Sequence, residues 1–183
     1  MIIETNRLRF RKLIPKDFHD LALLLQDEDV MYAYEGAFTD LEVRSWLEKQ
    51  MSRYEKDGFG LWGVELKGCS GLIGQCGITY QDCKGETVPE IGYLFRKEFW
   101  HKGYATESAI ACREYAFQVL GFERIYSIIR DSNEASRKVA ERNGMRKVGE
   151  MMKHYRGVDM LHYIYCIERA DRLPEPHGCF RKL

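Results

Sequence analysis

A strand, a helix and a second strand follow one another in the middle of this chain, and that succession constrains the fold more than any other feature. Residues 88–95 end in the strand-like run Glu-Ile-Gly-Tyr-Leu-Phe, residues 103–120 are helix-like, and residues 124–130 read Arg-Ile-Tyr-Ser-Ile-Ile-Arg. Two strands joined through a helix lie parallel, with a right-handed crossover. The sequence therefore predicts one β-α-β unit within its sheet.

The other strand-like runs predict antiparallel pairing around this unit. They are expected at residues 2–11, 59–66, 72–80, 146–155 and 158–168. Short joins that contain glycine connect neighbouring runs, which is typical of hairpins. Helices are expected after Pro15, from a capping box at Thr39 and Glu42, and after Ser132-Asn133-Glu134. The predicted fold class is α/β, with a mixed, mostly antiparallel sheet around a central parallel pair.

Charge, length and cysteine usage exclude several classes of protein. Lys plus Arg and Asp plus Glu number 28 each, so no net charge favours nucleic acid or an anionic membrane as a partner. No apolar run is long enough to be a signal core or a membrane span. The six cysteines show no metal-ligand spacing, which favours free thiols in a reducing cytoplasm and no metal. The 183 residues suit one domain, predicted at 3–169, with a tail at 170–183.

The join between the first strand and the helix of the β-α-β unit carries the first chemical signal. Residues 99–107 read Phe-Trp-His-Lys-Gly-Tyr-Ala-Thr-Glu. A small-residue turn that opens a helix leaves backbone N–H groups without acceptors, and such groups bind anions. A turn this short fits a compact pyrophosphate, and it lacks the Walker and G-x-G-x-x-G patterns. An ordinary strand–helix turn that needs a glycine is the alternative.

Four motifs occur in the same order as in a known family. Residues 4–11 read Glu-Thr-Asn-Arg-Leu-Arg-Phe-Arg, residues 90–93 read Glu-Ile-Gly-Tyr, residues 100–107 contain Lys-Gly-Tyr-Ala-Thr-Glu, and residues 133–145 follow Asn-x-x-Ser to Asn-Gly-Met. Together they resemble the GNAT superfamily of acyl-CoA-dependent N-acetyltransferases, and most closely its RimJ/RimL-like branch. The chain departs from the family's pyrophosphate motif at Trp100, where Gln or Arg is usual.

The resemblance implies the GNAT fold and acetyl-CoA as cosubstrate. It assigns the pantetheine arm to the gap between the two parallel strands, where backbone groups would otherwise lack hydrogen-bond partners. The implied cofactor-binding residues are Leu94, Phe95, His101, Lys102, Gly103, Tyr104, Ala105, Thr106 and Asn133.

The reaction that the resemblance implies is direct attack of an amine on the acetyl thioester. The ammonium form of a lysine-type amine has a pKa of ~10, so a base must remove its proton before attack. An α-amine loses its proton more easily and has less need of a base. Glu90 is the candidate base, with a strand-end charge as the alternative. Ser136 is the candidate acid for the leaving thiolate, with a helix-start role as the alternative. Tyr155 and His154 are further candidate acids.

The acceptor is expected to meet residues 31–40 and the last hairpin. Tyr32, Tyr34, Glu35 and Asp40 offer aromatic faces and carboxylates that suit a cationic amine, and a solvated loop with aromatic anchors is the alternative. The acceptor itself stays open between a protein N-terminal α-amine and a small amine such as a polyamine, amino acid or aminoglycoside. A non-catalytic acyl-CoA sensor is the alternative outside enzymes, and the assembly is expected to be a monomer or a homodimer.

Overall fold

A computed structural model describes residues 1–34, 36–155 and 157–171, which contain eight strands and five α-helices. The strands are β1 (Ile3–Glu4), β2 (Leu8–Arg11), β3 (Leu61–Leu66), β4 (Leu72–Cys83), β5 (Glu86–Phe95), β6 (Arg124–Arg130), β7 (Arg146–Tyr155) and β8 (Val158–Glu168). The helices are α1 (Phe18–Leu25), α2 (Glu28–Met31), α3 (Asp40–Lys56), α4 (Tyr104–Gln118) and α5 (Glu134–Arg142).

All eight strands form one mixed sheet in the order β1-β2-β3-β4-β5-β6-β8-β7. Every neighbouring pair is antiparallel except β5 and β6, which are parallel and joined through α4. The predicted mixed sheet with a central β-α-β unit is therefore confirmed. The predicted hairpins are confirmed as well, with β4 and β5 meeting at a tighter turn than expected because both strands extend further.

The helices begin where their side chains cap them. Thr39 accepts a hydrogen bond from the Glu42 N–H, and the Glu42 carboxylate accepts one from the Thr39 N–H, which is the predicted capping box of α3. Asn133 Oδ1 accepts the Ser136 N–H at 3.0 Å and caps α5.

The prediction of a single first strand over residues 2–11 is wrong. Thr5 interrupts it, because its N–H donates to the Leu8 carbonyl and its hydroxyl accepts the Leu8 N–H, at 3.0 and 2.9 Å. These bonds close a turn, so β1 folds back antiparallel to β2. The short helix α2 was not predicted either.

Small residues allow α4 to lie close to the sheet, as predicted. Ala109, Cys112 and Ala116 are buried, and the sulfur atoms of Cys112 and Cys76 in β4 are 3.5 Å apart. Within the described ranges, no helix has the length and apolar character that crossing a membrane would need. The division at residue 170 stays a prediction, and residues 172–183 lie outside the described residues.

Candidate active site

The parallel ladder between β5 and β6 ends after one registered pair, Glu90 opposite Tyr126. In a longer ladder the Ile128 N–H would donate to the Ile91 carbonyl. Instead it donates to Glu90 Oε1 at 2.8 Å, and the Ile91 carbonyl accepts the Ser127 hydroxyl at 3.0 Å. Two side chains thus end the ladder, and the strands separate beyond them.

The gap between the separated strands presents backbone groups of β5. Arg96 N–H bonds to Ile73 in β4 at 3.0 Å, so strand alternation directs the N–H and C=O groups of Ile91, Tyr93 and Phe95 to the opposite side, toward β6. The Phe95 carbonyl accepts the Trp100 indole N–H at 2.7 Å. The Tyr93 N–H and C=O and the Phe95 N–H therefore face the gap.

A cleft of about 800 Å³ opens at this gap and extends toward α3 and the β7–β8 hairpin. The residues that line it come mainly from β5, β6, the start of α5, α3 and the β7–β8 hairpin. The charged and polar residues among them that bear on chemistry are Tyr34, Glu42, Lys49, Arg53, Asp82, Glu90, Arg130, Asn133, Ser136, Lys153, His154, Tyr155 and His162.

Glu90 occupies the end of the ladder at the base of this cleft. Burial raises the pKa of its carboxyl above the ordinary value. The positive charges of Lys153 and Arg53 and the bond from the Ile128 N–H oppose that increase. A carboxylate with a raised pKa is a stronger base than one in water, so this environment suits proton removal.

Tyr34 forms an aromatic wall of the cleft with Phe38 and Trp46. The ring of Tyr34 meets the other two edge to face, at centroid distances of 6.5 and 6.1 Å. Burial raises the pKa of the Tyr34 phenol, and the charges of Glu90 and Tyr155 raise it further. The hydroxyl of Tyr34 therefore stays protonated and is available as a hydrogen-bond donor near Glu90.

The turn after β5 has the backbone shape of an anion site. His101 and Gly103 both adopt the left-handed conformation, with φ of 59° and 80°. Such a conformation is costly for a residue with a side chain, and it turns successive N–H groups toward one side. The Glu107 N–H closes the first turn of α4 on the Gly103 carbonyl, which leaves the N–H groups before it without intrahelical acceptors.

Arg7 holds this turn from the first hairpin. Its guanidinium donates to the Lys102 carbonyl at 2.9 Å and to the Glu107 carboxylate at 2.6 Å, and it stacks on the Tyr104 ring at 4.6 Å. Thr5 donates its hydroxyl to the same carboxylate at 2.6 Å. Two motifs that are a hundred residues apart in the sequence thus form one hydrogen-bonded unit.

Trp100 also has a structural role in the turn. Its indole N–H bonds to the Phe95 carbonyl, so the side chain at the unusual position ties the turn to the end of β5. Lys102 donates its ammonium to the Glu98 carbonyl at 2.9 Å. The turn is therefore fixed at both ends by contacts within the chain.

Many of the residues predicted from the sequence meet in the cleft. Glu90, Leu94, Asn133, Ser136, Tyr155 and Tyr34 line it together. Phe95 is buried, and residues 101–106 form the turn beyond β5 and do not line the cleft itself. Glu35 lies outside the described residues. Their functional roles remain predictions.

Two residues expected on the acceptor side lie elsewhere. Asp40 starts α3 and accepts a hydrogen bond from the Gln26 amide at 2.7 Å, and Tyr32 is exposed, with its carbonyl bonded by Arg130. His162 lines the cleft, whereas Tyr163 packs under Lys147, with 3.4 Å from the ammonium to the ring centroid. Sequence reasoning did not identify Arg7 or Arg53 as parts of the site.

No cluster of three or more His, Cys, Asp or Glu side chains able to hold a metal occurs within residues 1–34, 36–155 and 157–171. The chemistry that the cleft offers is that of a partly buried carboxylate, hydroxyl groups and backbone donors, next to a helix N-terminus that suits phosphate.

The chain belongs to the GNAT acetyltransferases, since the family model "Acetyltransferase (GNAT) domain" matches residues 7–146. This membership makes the protein an acetyltransferase, and the mixed sheet with its separated parallel strands is the sheet of that fold.

Individual relatives agree with the family model. The Bacillus subtilis protein named "Uncharacterized protein YkkB" is 38% identical over 142 residues, which cover 77% of this chain and 83% of the relative. A crystal structure of a GNAT-family acetyltransferase from Bacillus anthracis matches with a TM-score of 0.78 and 31% identity, over 92% of this chain and 98% of that one. RimL, described as a ribosomal L7/L12 alpha-N-protein acetyltransferase in complex with coenzyme A, shares the fold with a TM-score of 0.74 at 16% identity, over 91% and 97%.

Proposed function

We propose that this protein transfers the acetyl group of acetyl-CoA directly to a primary amine. The amine nitrogen attacks the thioester carbon, the carbon–sulfur bond breaks, and the amine loses a proton while the thiolate of CoA gains one. Glu90 accepts the amine proton, directly or through water, and the backbone N–H of Tyr93 stabilises the oxyanion of the tetrahedral intermediate.

The observation that carries this proposal is the position of Glu90 where the parallel ladder ends. Its carboxyl has a raised pKa, and the adjacent gap presents unused backbone groups to an extended amide-bearing arm. A pantetheine chain in the gap would continue the ladder that Glu90 and Ser127 interrupt. Leu94 and Asn133 line the same gap and are the proposed contacts of that arm.

An assay of CoA thiol release, with acetyl-CoA and a panel of amines, tests the function. The panel includes peptides with a free N-terminus, single amino acids, a polyamine and an aminoglycoside, which together cover the two acceptor classes. Turnover with any of them supports the transferase. Tight binding of acetyl-CoA without turnover on any amine supports a sensor, and absence of CoA binding contradicts both.

The fold that the chain shares with RimL supports a protein N-terminal α-amine as one acceptor, because that relative is described as an alpha-N-protein acetyltransferase.

Ser136 is the proposed donor of the proton to the leaving thiolate. Its N–H donates a hydrogen bond to Asn133 Oδ1, and its carbonyl accepts one from the Tyr93 hydroxyl at 3.0 Å. These backbone bonds hold the residue at the cleft. We expect Ser136→Ala to lower kcat by about 100-fold, the lower range for a general acid. The Kd for CoA, measured by calorimetry, should change little.

Ser132→Ala is the matched control for this substitution, because Ser132 is exposed and precedes the cap. Tyr155→Phe tests the competing candidate in the same assay. A Ser136→Ala variant that loses CoA affinity and kcat equally would make Ser136 a binding residue, and a larger loss in Tyr155→Phe would move the acid to the hairpin.

Arg7 is proposed to hold the turn in the shape that binds pyrophosphate. Removal of its charge-assisted bonds to Glu107 and Lys102 should raise the KM for acetyl-CoA by about tenfold and leave kcat nearly unchanged. Arg7→Ala is compared with Arg9→Ala, which removes an exposed arginine from β2. Arg7→Lys should recover only part of the affinity, because lysine lacks the planar fork. Equal KM values in Arg7→Ala and Arg9→Ala would contradict this role.

A further inference from the structure

Besides Arg130, three cationic side chains line the cleft that contains Glu90. Lys49 and Arg53 come from successive turns of α3, and Lys153 comes from β7. Arg53 and Lys153 both act on the pKa of Glu90, so they are near enough to share its electrostatic environment. Among the residues that the structure describes, no carboxylate oxygen lies within 4.0 Å, the limit for an ion pair, of a charged nitrogen of these three side chains.

Arg53 is held in place by a hydrogen bond to a neutral side chain. One of its guanidinium nitrogens donates to Gln50 Oε1 at 3.1 Å, and the same oxygen accepts the Leu61 N–H at 3.2 Å. Gln50 is fully buried, so this bond anchors the guanidinium at the cleft wall. Asp57 and Glu90 act on this cation from beyond the distance of an ion pair, so an anion bound in direct contact with it would offset more of the cost of its burial.

The like charges of Arg53 and Lys49 repel each other across one helical turn. Burial lowers the pKa of the Lys49 ammonium, and the positive charge of Arg53 lowers it further. Burial also lowers the pKa of Arg53, against the opposing effect of Asp57 and Glu90. An anion placed between these two side chains would be attracted to both and would relieve their repulsion.

The acidic residues of the cleft are arranged differently. Glu42 uses its carboxylate in the capping box with Thr39, and Asp82 lies at the far end of β4, next to the hairpin turn. Among the cleft carboxylates that the structure describes, Glu90 is therefore the one at the point where an acceptor amine has to arrive. A negative charge at the reaction centre with positive charges beside it matches a molecule that carries an amine and an anionic group.

We propose that the acceptor amine of this enzyme carries a nearby oxyanion, a carboxylate or a phosphate, which Arg53, Lys49 and Lys153 bind while the amine faces Glu90. This inference depends on the proposed function and makes it more specific. It differs from the expectation, drawn from residues 31–40, of an acceptor recognised as a cation. Guanidinium groups bind carboxylate and phosphate through two parallel hydrogen bonds, so Arg53 is the principal contact.

The test compares kcat/KM within pairs of amines that differ in one charged group, using acetyl-CoA and the full chain. The pairs are L-amino acids with their amides, and O-phosphoethanolamine with ethanolamine, which separate carboxylate from phosphate. A polyamine provides the cationic case. In each pair, we call the amine that carries the carboxylate or phosphate the anionic member and the other the neutral partner. For the wild-type protein, we expect kcat/KM of the anionic member to be about 10- to 100-fold higher than that of its neutral partner, the range of a hydrogen bond to a charged group.

Arg53→Gln should bring the ratio of the two kcat/KM values in a pair close to one. The ratio is the readout, because the loss of this charge also acts on the pKa of Glu90 and so changes kcat/KM for both members of the pair. Lys49→Gln should lower the same ratio, and its effect does not depend on the bond between Arg53 and Gln50. Lys56→Gln is the control, because it removes an equal charge from an exposed site of α3 outside the cleft.

Two sets of results overturn the inference. A protein that binds acetyl-CoA and acetylates no anionic amine contradicts it, as does a preference for the polyamine or for the neutral partners. An anionic preference that is unchanged in both Arg53→Gln and Lys49→Gln also contradicts it. Absence of acetyl-CoA binding, by contrast, contradicts the proposed function itself.

Discussion

Gly103→Asp should abolish the binding of acetyl-CoA while the protein stays folded. Gly103 precedes α4 and has φ of 80°, in the region where the side chain of Asp or Asn is tolerated better than most. A carboxylate at a helix N-terminus interacts favourably with the helix dipole, so the fold should not suffer. The same carboxylate repels a pyrophosphate bound there, and we expect the Kd for CoA to rise by about 100-fold or more.

Gly103→Asn is the matched control, because it has the same shape and lacks the charge. A Cβ at this position would lie 3.5 Å from the Arg7 guanidinium, which is ordinary contact, so both variants keep the space they need. Calorimetric Kd values for CoA at several salt concentrations separate the two effects, since only the Asp variant should recover affinity as salt screens its charge. Equal Kd values for the Asp and Asn variants would mean that no phosphate lies near Gly103.

The sequence was sufficient for the parts of the fold that local patterns determine. The capping box at Thr39 and Glu42, the cap at Asn133 and the strand–helix–strand order are each encoded within a few neighbouring residues, and they are found where predicted. The break at Thr5 is equally local, but the alternation of apolar residues across it predicted one continuous strand. The break depends on a side-chain bond to Leu8 that competes with an otherwise regular alternation of apolar residues.

In the site, some residues stand in recognisable short motifs, and others depend on contacts between segments that are far apart in the sequence. Gly103 and Glu90 stand in short motifs that suggest an anion turn and a base, so they could be proposed from the sequence. Arg7 and Arg53 could not, because their relation to the turn and to Glu90 arises from sheet order and helix packing. A gap between the parallel strands was expected from the family resemblance, whereas the backbone groups that face it follow from the register of β5 against β4.

Trp100 illustrates how a departure from a family pattern can be compensated nearby. The sequence departs from the family's pyrophosphate motif at Trp100, where Gln or Arg is usual. In the structure, its indole N–H donates a hydrogen bond to the Phe95 carbonyl, and the Arg7 guanidinium donates one to the Lys102 carbonyl. The turn is thus stabilised by the chain itself, through groups other than the N–H groups that are proposed to bind pyrophosphate.

Glu90→Gln should nearly abolish turnover and at the same time stabilise the protein. Gln keeps the oxygen that accepts the Ile128 N–H, so the separation of β5 and β6 is preserved, but it cannot take the amine proton. We expect kcat to fall by about 10²- to 10⁴-fold, the contribution of a general base, with the Kd for CoA unchanged. Glu86→Gln, at an exposed position on the same face of β5, is the control and should behave as wild type.

The pH dependence follows from the sign of the pKa shift. Because burial raises the pKa of Glu90 in the folded protein, the stabilising contribution of the protonated form is present at low pH and is lost as the pH rises through that raised value. Gln does not undergo this loss, so the Tm of Glu90→Gln should exceed that of wild type at neutral pH and approach it in acid.

The activity of the wild-type protein should follow the same titration, because kcat/KM should fall as the pH drops through the raised pKa of Glu90. The residual activity of Glu90→Gln should lack this decrease at low pH. A Glu90→Gln variant with wild-type kcat would instead limit Glu90 to holding the two strands apart, and Glu90→Ala, which also loses the Ile128 bond, would then be the variant that fails.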